Sequence, residues 1–191
     1  MAKIESSLKN MILSLTLIAL AASAALGFVY EVTRRPIEMT KLNKKLEAIK
    51  AVVPSFDNNP DQEMFKLPTG EGDSLEIFPA RKDNEIIGYA VRTSTQKGFS
   101  GYIGIMVGFS PDGTIINTNV LDQKETPGLG TKMTEPAFKD QFNGKNPGVF
   151  KLKVKKDGGE VDAITAATIS SRAFCDALER AYNTLKKGGL I

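Results

Sequence analysis

A chain of 191 residues, 41% apolar and 25% charged, is neither disordered nor collagen-like, and it holds one ordinary domain with residues to spare. Residues 1–53 carry eight Lys or Arg against four Asp or Glu, and residues 54–191 carry seventeen against eighteen, so the bulk lacks the positive excess that nucleic acid binding needs. With Cys175 the sole cysteine and no histidine, internal disulfides, Cys-based zinc or iron–sulfur sites, His triads and His-ligated haem are excluded; redox chemistry here needs a cofactor's atoms.

The first ten residues form a short tail holding Lys3 and Lys9, and the next twenty, Met11 to Tyr30, carry no charge. As a helix that run spans about 30 Å, the thickness of a bilayer core. Ala22-Ser23-Ala24 would suit signal-peptide cleavage, but the apolar stretch continues past it through Leu26, Phe28, Val29 and Tyr30, which reads as an uncleaved anchor. Arg34, Arg35 and Lys41 follow the span while Lys3 and Lys9 precede it, and charge alone does not set the orientation. Pro36 is placed to open a second helix, a stalk over residues 31–53, with Ile37, Leu42, Leu46, Ile49 and Val53 as its apolar stripe.

A domain over residues 54–191 follows. Ser55–Glu63 is polar and turn-rich, a loop. Leu75–Phe78 and Ile86–Thr93 flank Lys82-Asp83-Asn84-Glu85 as one hairpin; Tyr102–Phe109 and Thr114–Leu121 flank Ser110-Pro111-Asp112-Gly113 as another. Phe150–Lys155 alternates Phe150, Leu152 and Val154 with Lys151, Lys153 and Lys155, the pattern of a half-exposed strand. A terminal helix buries Ile169, Ala173, Phe174, Ala177, Leu178, Ala181, Tyr182 and Leu185 and stops at Gly188-Gly189, with Cys175 an inert residue beside that stripe. The fold class is α+β: one N-terminal transmembrane helix, then antiparallel strands and a C-terminal helix.

Two segments carry chemistry. Asp162-Ala163-Ile164-Thr165-Ala166-Ala167-Thr168-Ile169-Ser170-Ser171 opens the terminal helix. It is a capping sequence, with Thr165 or Thr168 accepting a backbone N–H and Asp162 favouring the positive helix end, or it is a phosphate site built from the same N–H groups. Glu125-Thr126-Pro127-Gly128-Leu129-Gly130 is an ordinary type II turn, or a shaped loop that offers backbone groups and Leu129 to a planar ligand.

Taken in order, Phe99-Ser100-Gly101-Tyr102-Ile103-Gly104, then E-T-P-G-L-G, then D-A-I-T-A-A-T-I-S-S, residues 36–191 resemble the FMN-binding domain of RnfG, the G subunit of the Rnf electron-transport complex. They are also similar to the C subunit of the sodium-pumping NADH:quinone reductase, which tends to be longer. The resemblance implies FMN joined by a phosphoester to Thr168, the last threonine of the family's D-x-x-[ST]-G-A-T motif. Asp162, Thr165, Ala166, Ala167 and Ser170 would surround the phosphate. Glu125, Thr126, Gly128, Leu129, Gly130 and Thr131 would face the ring, Thr126 and Thr131 as hydrogen-bond donors. It implies an electron carrier of a ferredoxin:NAD-type ion-translocating complex in the cytoplasmic membrane, with the tail inside and the flavin domain outside. Its partners would be the other subunits and, for maturation, an FAD-dependent flavin transferase; no independent catalysis is expected. Two positions depart from the family pattern: Ala166 stands at the motif glycine, and Lys124 stands where histidine often precedes E-T-P-G. The sodium-pump subunit, a non-redox extracytoplasmic binding module and a reductase with its own acceptor are the alternatives.

Overall fold

Helix-compatible apolar and small residues run on from Leu8, and the first element, α1, is a single helix, Leu8–Val52, in the computed structural model. The structure describes residues 7–70 and 72–191, so the first six residues of the expected cytoplasmic tail lie outside the described residues. Pro36 does not open a second helix; it lies inside α1. Its fixed φ is already helical, and what it forfeits is the hydrogen bond of its missing N–H, a cost of about 3 kcal/mol that the uninterrupted turns on either side absorb. The chain divides into two compact units, Met1–Lys44 and Lys45–Ile191, so the last turns of α1 belong to the second. There Ala48, Ile49, Val52 and Val53 are buried, whereas Ile37, at the head of the expected stripe, is exposed.

The second unit is built on a five-stranded antiparallel meander in the order β1-β2-β3-β4-β5. β1 (Phe65–Pro68), for which the sequence carried no clear strand signal, pairs with β2 (Ser74–Lys82) at the sheet edge, where the missing N–H of Pro68 is tolerated. β2 and β3 (Glu85–Gly98) form the first expected hairpin; its two turn residues, Asp83 and Asn84, have φ of 50° and 70°, the pairing that a tight hairpin requires. β4 (Gly101–Phe109) and β5 (Ile115–Gln123) form the second, across a turn in which the Asp112 carboxylate accepts hydrogen bonds from the Ser110 and Thr114 hydroxyls.

Alternation along the strands sends Ile103, Ile105, Val107 and Phe109 to one face, where they pack with Ala173, Phe174, Ala177, Leu178 and Ala181 of the last helix. The opposite face, with Phe78, Ala90 and Met106, is covered by Ala48, Ile49, Val52 and Val53. That cover sits close. A Cβ on Gly108 would lie 1.8 Å from the Val52 carbonyl oxygen, and Asn117 Nδ2 donates to the Ala51 carbonyl at 2.9 Å, satisfying the helix end.

After β5 the chain makes a short 3-10 turn (Gly130–Thr134), a four-residue helix α2 (Pro136–Lys139) and a second 3-10 turn. The expected strand Phe150–Lys155 is not a strand. Leu152 and Val154 are buried and the lysines are exposed as the alternation requires, but only an isolated bridge pairs Val154 with Val161. Gly158, at φ 79°, turns the chain back so that Lys155 N–H donates to Val161 and Glu160 N–H to Lys151; the segment satisfies its backbone within itself.

The last helix, α3 (Thr168–Lys187), buries the expected stripe with two exceptions: Ile169 is 47% exposed and Tyr182 is half-buried. Cys175 is buried, and desolvation pushes its thiol up to about 12, which makes it inert.

Candidate functional site

Three segments distant in sequence meet at the N-terminal end of α3. They are the Phe99-Ser100 turn between β3 and β4, the Glu125–Gly130 loop after β5, and Ala166–Ser170. Together they line a cleft of about 370 Å³, within the range of small-molecule sites.

Each wall has a local cause. In the loop, Gly128 has φ 73° and Leu129 N–H donates to the Thr126 carbonyl at 3.1 Å, the expected turn at Pro127-Gly128. Thr131 lies behind it, its hydroxyl accepting the Gly128 N–H at 2.9 Å, so it shapes the loop and does not line the cleft. Glu125 is buried. Its Oε1 accepts from Ser100 N–H at 2.9 Å and its Oε2 from the Ser170 hydroxyl at 2.5 Å.

At the helix, the expected side-chain cap is not found. The N-cap position is Ala167, with no side-chain hydrogen bond, so neither Thr165 nor Thr168 caps α3. The approach is braced instead by Ser171, whose hydroxyl accepts from Ile164 N–H at 2.9 Å and donates to the Ala167 carbonyl at 3.0 Å. Thr168, not used as a cap, lines the cleft. Ala166 has φ 61°, in the left-handed region, where a glycine would sit without strain.

Asp162 lies outside the lining of the cleft, as does Thr165. The exposed Asp162 carboxylate pairs with Lys155 Nζ at 2.7 Å. Of the residues expected at the site, the structure therefore brings together Glu125, Thr126, Leu129, Gly130, Ala166, Ala167, Thr168 and Ser170, and leaves Asp162, Thr165, Gly128 and Thr131 outside the lining. It adds two, Phe99 and Ile169. Ile169 falls at helical spacing with the core stripe, which hid it; an aromatic at a strand turn, such as Phe99, was the available signal.

The chemistry of this wall fits a flavin nucleotide. Thr168, Ile169 and Ser170 are the first residues of α3, so their N–H groups have no acceptor within the helix and favour a phosphate. Ala166 and Ala167 let it approach the backbone. Phe99, Leu129 and Ile169 are 67%, 39% and 47% exposed, large apolar side chains standing around a cleft as a planar ring system would require.

The model of the FMN-binding domain family matches residues 98–183, which include the Phe99 turn, the Glu125–Gly130 loop and the start of α3. The same fold occurs in the C subunit of the Na(+)-translocating NADH-quinone reductase from Parabacteroides distasonis, with a TM-score of 0.60 and 21% identity over 80% of this chain and 95% of that one. Similarity in sequence is more specific. The chain is 30% identical to the G subunit of the Na(+)-translocating ferredoxin:NAD(+) oxidoreductase complex of Acetobacterium woodii, over 92% of this chain and 91% of that protein. It is 34% identical to the G subunit of the ion-translocating oxidoreductase complex of Erwinia tasmaniensis (87% and 84%) and 32% identical to that of Methanosarcina acetivorans (94% and 95%). The chain belongs to the family of G subunits of ion-translocating oxidoreductase complexes.

Proposed function

We propose that this chain is a membrane-anchored electron-relay subunit whose FMN is attached by a phosphoester to Thr168. The observation that carries the reading is that Thr168, the N-terminal end of α3 and the Glu125–Gly130 loop share one apolar-rimmed cleft. FMN supplies the electron-carrying ring, which the protein's own side chains lack.

Each residue of the wall then has a task. The N–H groups of Thr168, Ile169 and Ser170, at the positive end of the helix dipole, hold the phosphate charge. Phe99, Leu129 and Ile169 keep water from the ring, and Thr126, a lining residue, would donate its hydroxyl to the ring's polar edge. Thr131 supports the loop through Gly128. Attachment is a phosphoryl-group transfer: Thr168 Oγ1 bonds to the FMN-side phosphorus of FAD, the pyrophosphate bond breaks, AMP leaves, and the hydroxyl proton passes to a base on a separate flavin transferase. The chain has no nucleotide-binding motif of its own that would do this.

The charge-free part of α1 would anchor the protein, and the other subunits of the complex would supply and accept its electrons. We place the flavin domain on the extracytoplasmic face, where free FMN is scarce and a covalent tether prevents its loss. The test is fluorescence of the denatured protein band under ultraviolet light together with peptide mass spectrometry. A covalent FMN on the peptide carrying Thr168 is expected; a non-fluorescent band from cells that make the transferase would overturn the attachment. The purified chain should oxidise NADH slowly or not at all, and oxidation at dehydrogenase rates would make it an enzyme in its own right.

A further inference from the structure

Glu125 is 4% exposed, and both of its carboxylate oxygens are met by neutral donors, Ser100 N–H at 2.9 Å and the Ser170 hydroxyl at 2.5 Å. Burying a carboxylate costs several kcal/mol unless its hydrogen bonds are well made. Here the backbone is cleared to receive it. A Cβ on Gly130 would lie 2.6 Å from Oε2 and 2.7 Å from Ser170 Oγ, and a Cβ on Gly98 would lie 2.8 Å from Oε1. The first and last residues of E-T-P-G-L-G therefore form one unit, a carboxylate and the space it occupies, while Gly128 serves the turn through its φ of 73°. The socket joins three walls of the cleft: the β3–β4 turn through Ser100, the loop through Glu125 itself, and the first turn of α3 through Ser170.

We propose that Glu125 is a positioning residue for flavin attachment. By tying Ser170 to the Ser100 amide, it fixes the first turn of α3 against the loop and so holds Thr168, two residues before Ser170, in the orientation from which its hydroxyl attacks. This rests on the reading of Thr168 as the attachment residue. With no side-chain cap at Ala167, the start of α3 is braced by Ser171 on the side of Ile164 and Ala167 and by the Glu125–Ser170 hydrogen bond on the side of the loop.

The experiment uses the full chain in detergent, made without flavin, and follows adduct formation on Thr168 with purified flavin transferase and FAD by intact mass. Hydrogen exchange at Ser100 and Thr168–Ser171 is recorded on the same proteins. Ser170→Ala, which loses one charge-assisted hydrogen bond, should slow attachment about tenfold or more, Glu125→Ala, which loses two, at least as much, and both should raise exchange at the first turn of α3. Glu125→Gln keeps one oxygen for Ser100 N–H and offers an amide N–H to Ser170 Oγ, so it should attach within about threefold of the wild type. Should Glu125→Ala fail to fold, Ser170→Ala and Glu125→Gln still decide the matter. Attachment by Ser170→Ala at the wild-type rate, or by Glu125→Gln as slowly as by Glu125→Ala, would overturn the proposal. An absence of adduct on the wild type, or an adduct retained by Thr168→Ala, would instead overturn the reading of Thr168.

Discussion

Ala166 stands at φ 61°, a conformation in which an L side chain costs about 1–2 kcal/mol and glycine costs nothing sterically. The greater unfolded-state freedom of glycine returns part of that gain, so Ala166→Gly should stabilise the domain by about 1 kcal/mol or less and raise Tm by about 2–4 °C. A lower Tm would show that the strain is illusory. Thr168 presents the opposite case. Its hydroxyl caps nothing, so Thr168→Ala should change stability by no more than about 0.5 kcal/mol while abolishing covalent flavin, whereas Thr165→Ala should keep it. Cys175 links burial to pH. Its thiol is raised from 9.0 to about 12, so its contribution to stability is whole below pH 9 and is lost as pH rises from 9 towards 12. Tyr89, also raised by burial, acts in the same direction. Denaturant midpoints should fall as pH rises from about 9 to about 11, less steeply in Cys175→Ala, and a thiol reagent should label Cys175 only after unfolding. At this scale the sequence was informative about chemistry and blind to direction. That Thr168 and Glu125 share one cleft was legible because their motifs carry hydroxyl, carboxylate and glycine together. Asp162 falls outside the lining and pairs with Lys155, seven residues upstream, across the turn at Gly158, a contact that no spacing rule encodes.

At the scale of elements, the two hairpins were legible because each turn contains residues that tolerate or require a positive φ, Asp83-Asn84 and Gly113, between alternating apolar runs. Phe150–Lys155 carries the same alternation without being a strand. Period-two burial needs only an extended chain over a core, while a strand also needs a neighbour with free backbone groups, and this segment bonds to residues 160–161 instead. Pro36 misled for a related reason: its φ suits the first turn and the interior equally, and only the unbroken helix formers around it select the interior. The seating of α1 on the sheet was not legible at all, since it depends on the absence of a single atom. Gly108→Ala would place a Cβ 1.8 Å from the Val52 carbonyl oxygen, backbone against backbone, and should destabilise the domain by about 3 kcal/mol. Gly104→Ala, whose Cβ would meet only the Tyr102 ring from 3.0 Å, should cost far less because a side chain can move. Equal thermal shifts for the two variants would show that the helix end is not held by close approach.

For the whole molecule, the decisive contrast is between a charge-free run and a charge-balanced domain. From Met11 to Tyr30 there is no ionisable side chain except the Tyr30 phenol, and Ile12, Leu13, Leu15, Leu17, Ile18, Leu20, Leu26 and Phe28 are all exposed on a helix long and apolar enough to cross a membrane. Fully burying one such side chain is worth about 1.5–3 kcal/mol, so burying these eight in lipid outweighs any surface electrostatic attraction. High salt shortens the Debye length to about 3 Å at 1 M and strips proteins held by charge, but it leaves apolar burial in place. The chain should therefore stay in the membrane fraction through high-salt and alkaline washes and be released by detergent. A version lacking residues 1–30 should be recovered in the soluble fraction, since the remaining domain has its own core on both faces of the sheet. The competing reading, cleavage after Ala22-Ser23-Ala24, makes a different forecast for the full-length chain: mature protein beginning at Ala25, soluble without detergent. N-terminal sequencing of the washed membrane protein separates the two, and a soluble product starting at Ala25 would replace the anchor with a signal peptide.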